Sequence, residues 1–181
     1  MILTKRSTET RANGIAVEAS PPMNIRDNRT ILLVEDSPEE AELFCEALRI
    51  AWDSVASPEY FPRPTVTVRH HAADALEFLR AQAAAHPPLL PALIVLDIDL
   101  PGEMSLPFLQ ALREDLHFDT VPVVAIAWSE EDYAAQWLER VGLSALVPKP
   151  LRFEELVGLV DRLCWPFFLS PANLQRGMES P

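Results

Sequence analysis

The sequence predicts a single α/β domain with a doubly wound, five-stranded parallel sheet. Short apolar runs alternate five times with segments in which apolar residues recur at helical spacing. The runs are continuous, which is typical of parallel strands that helices cover on both faces. The chain has 181 residues, 49% of them hydrophobic, which is enough for one sizeable core but not for two.

Each element of this pattern has its own local signals. The predicted strands are residues 30–34, 65–69, 92–96, 121–127 and 145–147. The predicted amphipathic helices cover residues 38–48, 75–83, 105–116, 129–141 and 156–163. Ser37 and Pro38 form the cap and first turn of the first helix, while Gly142 and Pro166 are placed to end the last two. Prolines predict an irregular connection over residues 52–64.

This alternation divides the chain into three parts. With right-handed crossovers, five strand and helix units give a flavodoxin-like (βα)5 domain, which we place at residues 30–165. Residues 1–29 lack apolar periodicity and are predicted to be a flexible N-terminal tail. Residues 166–181 are interpreted as a C-terminal apolar extension, which is a possible interface.

The composition excludes several classes of partner. A formal net charge of -12 argues against binding to nucleic acid or to an anionic membrane. We find neither an apolar run of the ~20 residues that span a bilayer nor a secretory signal, so a cytoplasmic protein is expected. Cys45 and Cys164 are interpreted as core thiols, and His70 and His71 as a solvated loop pair.

Charged residues follow three of the predicted strands at their carboxyl ends. Glu35 and Asp36 follow the first strand, Asp97 and Asp99 the third, and Lys149 the fifth. Doubly wound sheets bind ligands at this edge, where the direction of winding reverses. Converging carboxylates repel one another unless a cation lies among them, and Mg²⁺ favours such oxygen ligands. Lys149 would add a compact positive charge.

These residues together predict a phosphoryl-transfer site. Asp97 is the expected nucleophile because it directly ends a buried strand, whereas Asp99 already lies in the turn. Asp36 is the expected principal metal ligand, with Glu35 supporting it through water. Taken singly, the acidic pair could be a helix N-terminus and Lys149 a solvated loop residue. The prediction depends on their joint order along the strands.

The segments VEDSP, LIVLDIDLPG and VPKP resemble the three signature segments of response-regulator receiver domains. The resemblance implies that a sensor histidine kinase phosphorylates Asp97 and that Glu35 and Asp36 bind Mg²⁺. It further implies that the backbone carbonyl of Asp99 is a metal ligand and that Lys149 contacts the phosphoryl group. The proline-rich insertion and the tail CWPFFLSP are similar to those of single-domain regulators partnered with bacteriophytochrome histidine kinases.

The narrower resemblance implies a homodimer. Such tails contribute to dimers in those regulators, so Trp165, Phe167 and Phe168 become candidate dimer contacts. The alternative is that the tail folds back onto its own domain. Whether or not the tail forms a dimer, we expect signalling through protein contacts, because the short tail cannot form an effector domain.

Two residues depart from the receiver pattern. Ala127 stands where the family usually has Thr or Ser, and Leu146 replaces the usual aromatic residue, so the ordinary hydroxyl and aromatic relay cannot operate. An alternative function is therefore a phosphorylation-independent interaction module. A third possibility is a phosphatase, because Asp97 and Asp99 resemble the D-x-D motif of haloacid-dehalogenase-like enzymes. Pro101 and the order of the acidic segments disfavour it.

Overall fold

The computed structural model describes residues 29–55, 63–85, 88–103, 105–128 and 141–168, without the side chains of residues 55, 103 and 164–167. The strands are β1 (Thr30–Val34), β2 (Thr65–Arg69), β3 (Leu93–Asp97), β4 (Val123–Ala127) and β5 (Ala145–Pro148). The α-helices in the described ranges are α1 (Pro38–Val55), α2 (Ala72–Ala83), α3 (Ser105–Glu114) and α4 (Phe153–Phe168), and a 3-10 turn covers Pro101–Glu103. Most of the helix predicted at residues 129–141 lies outside the described residues. The same is true of nearly all of the predicted N-terminal tail, residues 1–29, and of most of the C-terminal extension, residues 166–181.

The strands form one parallel sheet in the order β2-β1-β3-β4-β5. The chain winds from β1 outward to β2 and then returns to the other side of β1, so the winding reverses between β1 and β3. Val34 pairs with Leu96, so the next residues, Glu35 and Asp97, lie side by side at the carboxyl ends of β1 and β3. The predicted fold class is confirmed.

Apolar residues of the strands pack on both faces of the sheet. Ile31 and Leu33 of β1 belong to a core beneath α1 and α4, and Leu32 and Val34 to a second core beneath α2 and α3. Each of these side chains is at most 3% exposed. Burial of both faces explains why the strand sequences are continuous apolar runs, and each buried side chain contributes about 1.5 to 3 kcal/mol.

Two helices extend further than predicted. α1 continues to Val55, so Trp52 is a helical core residue, 1% exposed, and not the start of an irregular connection. α4 passes Pro166 and ends at Phe168, so the prediction that Pro166 stops the helix is wrong. The two rings of Trp52 and Phe168 meet edge to face at 6.3 Å. Burial of this aromatic pair offsets the backbone hydrogen bond that proline cannot make.

This packing changes the interpretation of the C-terminal segment. Phe168 is 4% exposed and belongs to the core of its own domain, so the core extends beyond residue 165. Phe168 is therefore a core residue and not an exposed side chain that is available for a dimer contact. The side chains of Trp165 and Phe167 lie outside the description. Of the helices described, none has the length and apolar character needed to cross a membrane.

Candidate functional site

Three carboxylates meet where β1 and β3 end. Oxygen atoms of Glu35, Asp36 and Asp97 all lie within 4.8 Å of one another. Sheet-like pairing continues past both strands, because the Glu35 N–H donates to the carbonyl of Arg69 (3.1 Å) and the Ile98 N–H to that of Ile126 (2.9 Å). The sheet thus fixes the backbone that carries Glu35 and Asp97, which are only 6% and 4% exposed.

The carboxylate of Asp97 is held from two sides. Its Oδ1 accepts the N–H of Asp99 at 2.9 Å, and its Oδ2 accepts a hydrogen bond from Nζ of Lys149 at 2.8 Å. The buried hydroxyl of Ser105 lies 3.2 Å from the carbonyl oxygen of Asp97 and 2.7 Å from that of Ile98. Side chain and backbone of Asp97 are therefore both positioned by the surrounding protein.

Lys149 reaches the cluster from the end of β5. Its backbone N–H donates to the carbonyl of Ala127 at 2.7 Å, which extends the pairing of β4 with β5. Its ammonium lies 3.7 Å from Glu35 Oε2, forms an ion pair with Glu40, and stands 5.2 Å from the ring centre of Trp128. Burial lowers the pKa of Lys149, but its hydrogen bonds to Asp97 and Glu40 outweigh that effect and raise the pKa overall. The ammonium is therefore charged at neutral pH.

Glu35 has a buried carboxyl group whose pKa is shifted by its surroundings. Burial raises its pKa to about 7, and the nearby charge of Asp97 adds to this effect. The Ser37 N–H, which donates to Glu35 Oε1 at 3.1 Å, and the charge of Lys149 act in the opposite direction. One ammonium does not compensate three clustered carboxylates, so the donor set fits a divalent metal ion, which prefers carboxylate oxygens.

Asp99 links the loops that follow β3 and β4. Its Oδ2 accepts the N–H of Trp128 at 3.0 Å, while its own N–H donates to Asp97. This carboxylate is exposed and lies outside the cluster formed by Glu35, Asp36 and Asp97. The role predicted for Asp99, a backbone carbonyl ligand, stays a prediction.

The two residues that depart from the receiver pattern, Ala127 and Leu146, lie in strands, and their side chains are buried or partly buried. Ala127 ends β4, is 0% exposed, and contributes only its carbonyl to the site, through the hydrogen bond from Lys149. Leu146 is partly buried and packs against the core beneath α2 and α3. The consequence expected from these residues, a missing hydroxyl and aromatic relay, stays a prediction.

Sequence reasoning assigned no role to four neighbours of the site, namely Glu40, His70, Ser105 and Trp128. Glu40 stands three residues after Ser37, a spacing that suggests only a helix cap, and its N–H does donate to Ser37 Oγ at 3.3 Å. His70 is exposed, as expected for a solvated loop residue, and its Nδ1 lies 2.8 Å from the carbonyl oxygen of Glu35. A carbonyl only accepts, so Nδ1 carries the proton. Trp128 directly follows the predicted fourth strand, whereas nothing in the sequence distinguished Ser105.

The site opens to the surface through a cavity of about 250 Å³. Asp97, Lys149 and Glu40 line its polar part, and the ring of Trp128 and the side chain of Leu151 lie at its apolar part. Trp128 and Leu151 are 56% and 80% exposed. A reactant can therefore reach Asp97 and Lys149 from outside.

No family model matches the sequence. Hybrid signal transduction histidine kinase D of Dictyostelium discoideum is 29% identical to the chain over 140 residues, which are 77% of this chain. The chain spans only 8% of the length of that curated relative.

Solved structures give a similarity over most of the domain. The phosphorylated cyanobacterial phytochrome response regulator RcpA is 25% identical, with a TM-score of 0.60 over 78% of this chain and 94% of that one. The bacteriophytochrome response regulator AtBRR is 28% identical, with a TM-score of 0.57 over 78% of this chain and 95% of that one. The resemblance predicted from the three segments is thus confirmed: this chain has the fold of a response-regulator receiver domain and resembles phytochrome response regulators.

Proposed function

We propose that the chain is a signalling receiver domain in which Asp97 accepts a phosphoryl group from a histidine kinase. The observation that carries the proposal is the hydrogen bond of 2.8 Å between Nζ of Lys149 and Oδ2 of Asp97, beside the carboxylates of Glu35 and Asp36. The similarity to a phosphorylated phytochrome response regulator and to a hybrid histidine kinase supports it. A phytochrome-type histidine kinase is the proposed donor.

The proposed reaction is a single displacement at phosphorus. A carboxylate oxygen of Asp97 attacks the phosphorus of a phosphohistidine, an O–P bond forms, and the N–P bond breaks. The electron pair of the N–P bond stays on the imidazole, which takes a proton from solvent, and Asp97 becomes an acyl phosphate. The Asp99 N–H orients the carboxylate, and the ammonium of Lys149 compensates the charge on the phosphoryl oxygens.

Glu35, Asp36 and Asp97 would hold Mg²⁺, with the carbonyl of Asp99 as a further ligand. Their donor set consists of oxygens, and two carboxylates of the cluster, Glu35 and Asp97, are buried. Burial raises the pKa of Glu35, and the neighbouring charge of Asp97 adds to this effect, as expected where carboxylates converge. When bound, the ion would supply Lewis-acid stabilisation of the phosphoryl oxygens.

The phosphorylated domain is proposed to signal through contacts with other proteins. The net charge of -12 disfavours nucleic acid as the partner. A homodimer remains part of the proposal through Trp165 and Phe167, but no longer through Phe168, which is buried in its own core. Sedimentation of the full chain, with and without the change Phe167→Ala, would test it. A monomer in the unchanged chain would end this part of the proposal.

The decisive experiment is phosphorylation of the full chain. The protein is incubated with Mg²⁺ and acetyl phosphate, and intact-mass spectrometry counts the phosphoryl groups. One group is expected, and none in Asp97→Asn or in the presence of excess chelator. Asp74→Asn changes an exposed aspartate on α2 and serves as the matched control, which should be labelled like the unchanged chain. Absence of label, or label that survives Asp97→Asn, would overturn the proposal.

A second candidate function is a phosphorylation-independent interaction module. The observation that favours it is Ala127, which is fully buried and offers no hydroxyl at the end of β4. Amide hydrogen exchange with and without phosphorylation distinguishes the two functions. Changes limited to the residues that touch Asp97, Ser105 at the start of α3 among them, would favour the interaction module. Changes that extend along α3 beyond Ser105, or into β5, would favour a phosphorylation switch.

A further inference from the structure

The ammonium of Lys149 is shared among carboxylates from three different elements. Asp97 comes from the end of β3, Glu35 from the end of β1, and Glu40 from the first turn of α1. Asp97 and Glu40 accept hydrogen bonds from this ammonium, whereas Glu35, at 3.7 Å, interacts with it only as an ion pair. The side chain of Lys149 is only 11% exposed, which leaves little room for water to replace one of these partners.

Glu40 differs from the other two partners in its position. It is not in the group of Glu35, Asp36 and Asp97, whose oxygens lie within 4.8 Å of one another and which fits a metal ion. Its side chain is 38% exposed and lines the cavity that leads to Asp97. Glu40 therefore neutralises Lys149 from the side on which a reactant arrives.

We propose that Glu40 competes with the phosphoryl group of Asp97 for the ammonium of Lys149 and thereby weakens phosphoryl binding. The inference rests on the proposed function, because it assumes that Asp97 receives a phosphoryl group. The incoming group carries negative charge and needs Lys149 as a donor. It must displace Glu40 from the ammonium or share the ammonium with it, and the two anions repel each other at short range.

The change Glu40→Gln isolates this effect. Glutamine keeps the size of the side chain and the backbone N–H that donates to Ser37 Oγ, so the cap of α1 is preserved. The change removes the negative charge and replaces one carboxylate oxygen with an amide NH2 group. We expect Glu40→Gln to bind a phosphoryl mimic about two- to fivefold more tightly, the range that the loss of a partly exposed like charge gives.

Glu39→Gln is the matched control. Glu39 lies on the same first turn of α1, is exposed, and accepts a hydrogen bond from Ser37 Oγ at 3.2 Å. The ion pairs described for Lys149 involve Glu35, Glu40 and Asp97, and Glu39 is not among them. Both variants change the net charge of the chain by the same amount, so a long-range charge effect would appear in both.

The experiment is calorimetric titration of beryllofluoride into the unchanged chain, Glu40→Gln and Glu39→Gln at saturating Mg²⁺. Tighter binding in Glu40→Gln alone supports the proposal, and Glu40→Ala should then agree with it. Equal gains in both variants, or unchanged or weaker binding in Glu40→Gln, would overturn it. If none of the three proteins binds beryllofluoride, the failure belongs to the proposed function, and the competition inference falls with it.

Discussion

Two partly buried cations, Lys149 and Arg113, carry the same charge but have different kinds of partner in this domain. The ammonium of Lys149 faces carboxylates at the carboxyl edge of the sheet. The guanidinium of Arg113, at the end of α3, donates only to backbone carbonyls in the hydrogen bonds described. These belong to Val141 (3.1 Å), Phe118 (3.2 Å), Asp119 (3.0 Å), Val121 (3.2 Å) and Gly142 (2.9 Å).

The difference lies in whether the partners can be exchanged. Backbone carbonyls are neutral and fixed by the fold, and the planar fork of Arg113 satisfies several of them at once. Burial lowers the pKa of Arg113, with the charge of Asp119 opposing the effect. Carboxylates around Lys149 carry charge and come from separate elements, so a new anion can displace one of them. Arg113 thus joins segments, whereas Lys149 is available for chemistry.

The largest expected effect is on phosphorylation in Lys149→Met. Loss of the ammonium beside Asp97 should slow labelling by acetyl phosphate about 100-fold or more, as removal of a preorganised charge donor does elsewhere. Time-resolved intact-mass spectrometry measures the rate. Arg113→Met is the control and should label within about threefold of the unchanged chain while it is folded. Equal slowing in both variants would contradict the division of roles.

The second prediction concerns the stability of the fold, for which Arg113 and not Lys149 is expected to matter. Arg113→Met leaves several backbone carbonyls without a donor and should lower the free energy of unfolding by about 2 to 4 kcal/mol. Urea denaturation followed by circular dichroism measures it. Arg113→Lys should recover less than half of the loss, because an ammonium cannot reproduce the fork of donors. Full recovery would show that charge alone matters at this position.

The two cations also differ in how far the sequence predicts them. Lys149 could be predicted because it follows a strand and precedes a proline, in order with Glu35 and Asp97. The strands could also be predicted from the sequence, because burial on both faces of the sheet requires apolar residues at every position. The partners of Arg113 are backbone carbonyls, which every residue has, so the sequence contains no signal for them. Glu40 was hidden because its spacing from Ser37 already has a structural explanation.

Packing between distant segments was the other hidden feature. Pro166 is a reliable local signal for the end of a helix, yet α4 continues to Phe168. The reason is the contact of Phe168 with Trp52 in α1, which is a tertiary interaction between segments far apart in the chain. Burial of this aromatic pair stabilises the longer helix by more than the local preference of proline destabilises it.

A third prediction concerns the pH dependence of stability that Glu35, one of the carboxylates around Lys149, should cause. Burial raises the pKa of Glu35 from 4.5 to about 7, so the folded protein without metal binds a proton that the unfolded chain has released. Stability should therefore be highest below pH 4.5 as far as this group is concerned, and should fall as the pH rises to about 7. The loss should be about 1 to 3 kcal/mol.

Urea denaturation in the presence of a chelator, repeated across this pH range, measures the effect. Glu35→Gln has no carboxylate to ionise and should remove most of the slope. Glu39→Gln changes an exposed glutamate on the same side of the fold and should leave the slope intact. A slope that persists in Glu35→Gln would assign the pH dependence to another group.

The smallest effect tests how tightly Arg113 is enclosed. Gly142 has a φ of 63°, a left-handed conformation that costs other residues about 1 to 2 kcal/mol, and a Cβ added there would lie 3.0 Å from Nε of Arg113. Gly142→Ala should therefore destabilise the domain by about 1 to 2 kcal/mol. Gly158→Ala is the matched change within α4, where the nearest atom, Nη1 of Arg162, is 3.6 Å away.

Alanine favours helices over glycine by about 1 kcal/mol, so Gly158→Ala should raise the thermal midpoint while Gly142→Ala lowers it. Neither change touches Lys149 or the carboxylates around it, so the rate of Asp97 labelling should stay the same in both proteins. If Gly142→Ala slowed labelling as well as lowering stability, the enclosure of Arg113 would be coupled to the phosphorylation site. The separation between a structural cation and a reactive one would then have to be abandoned.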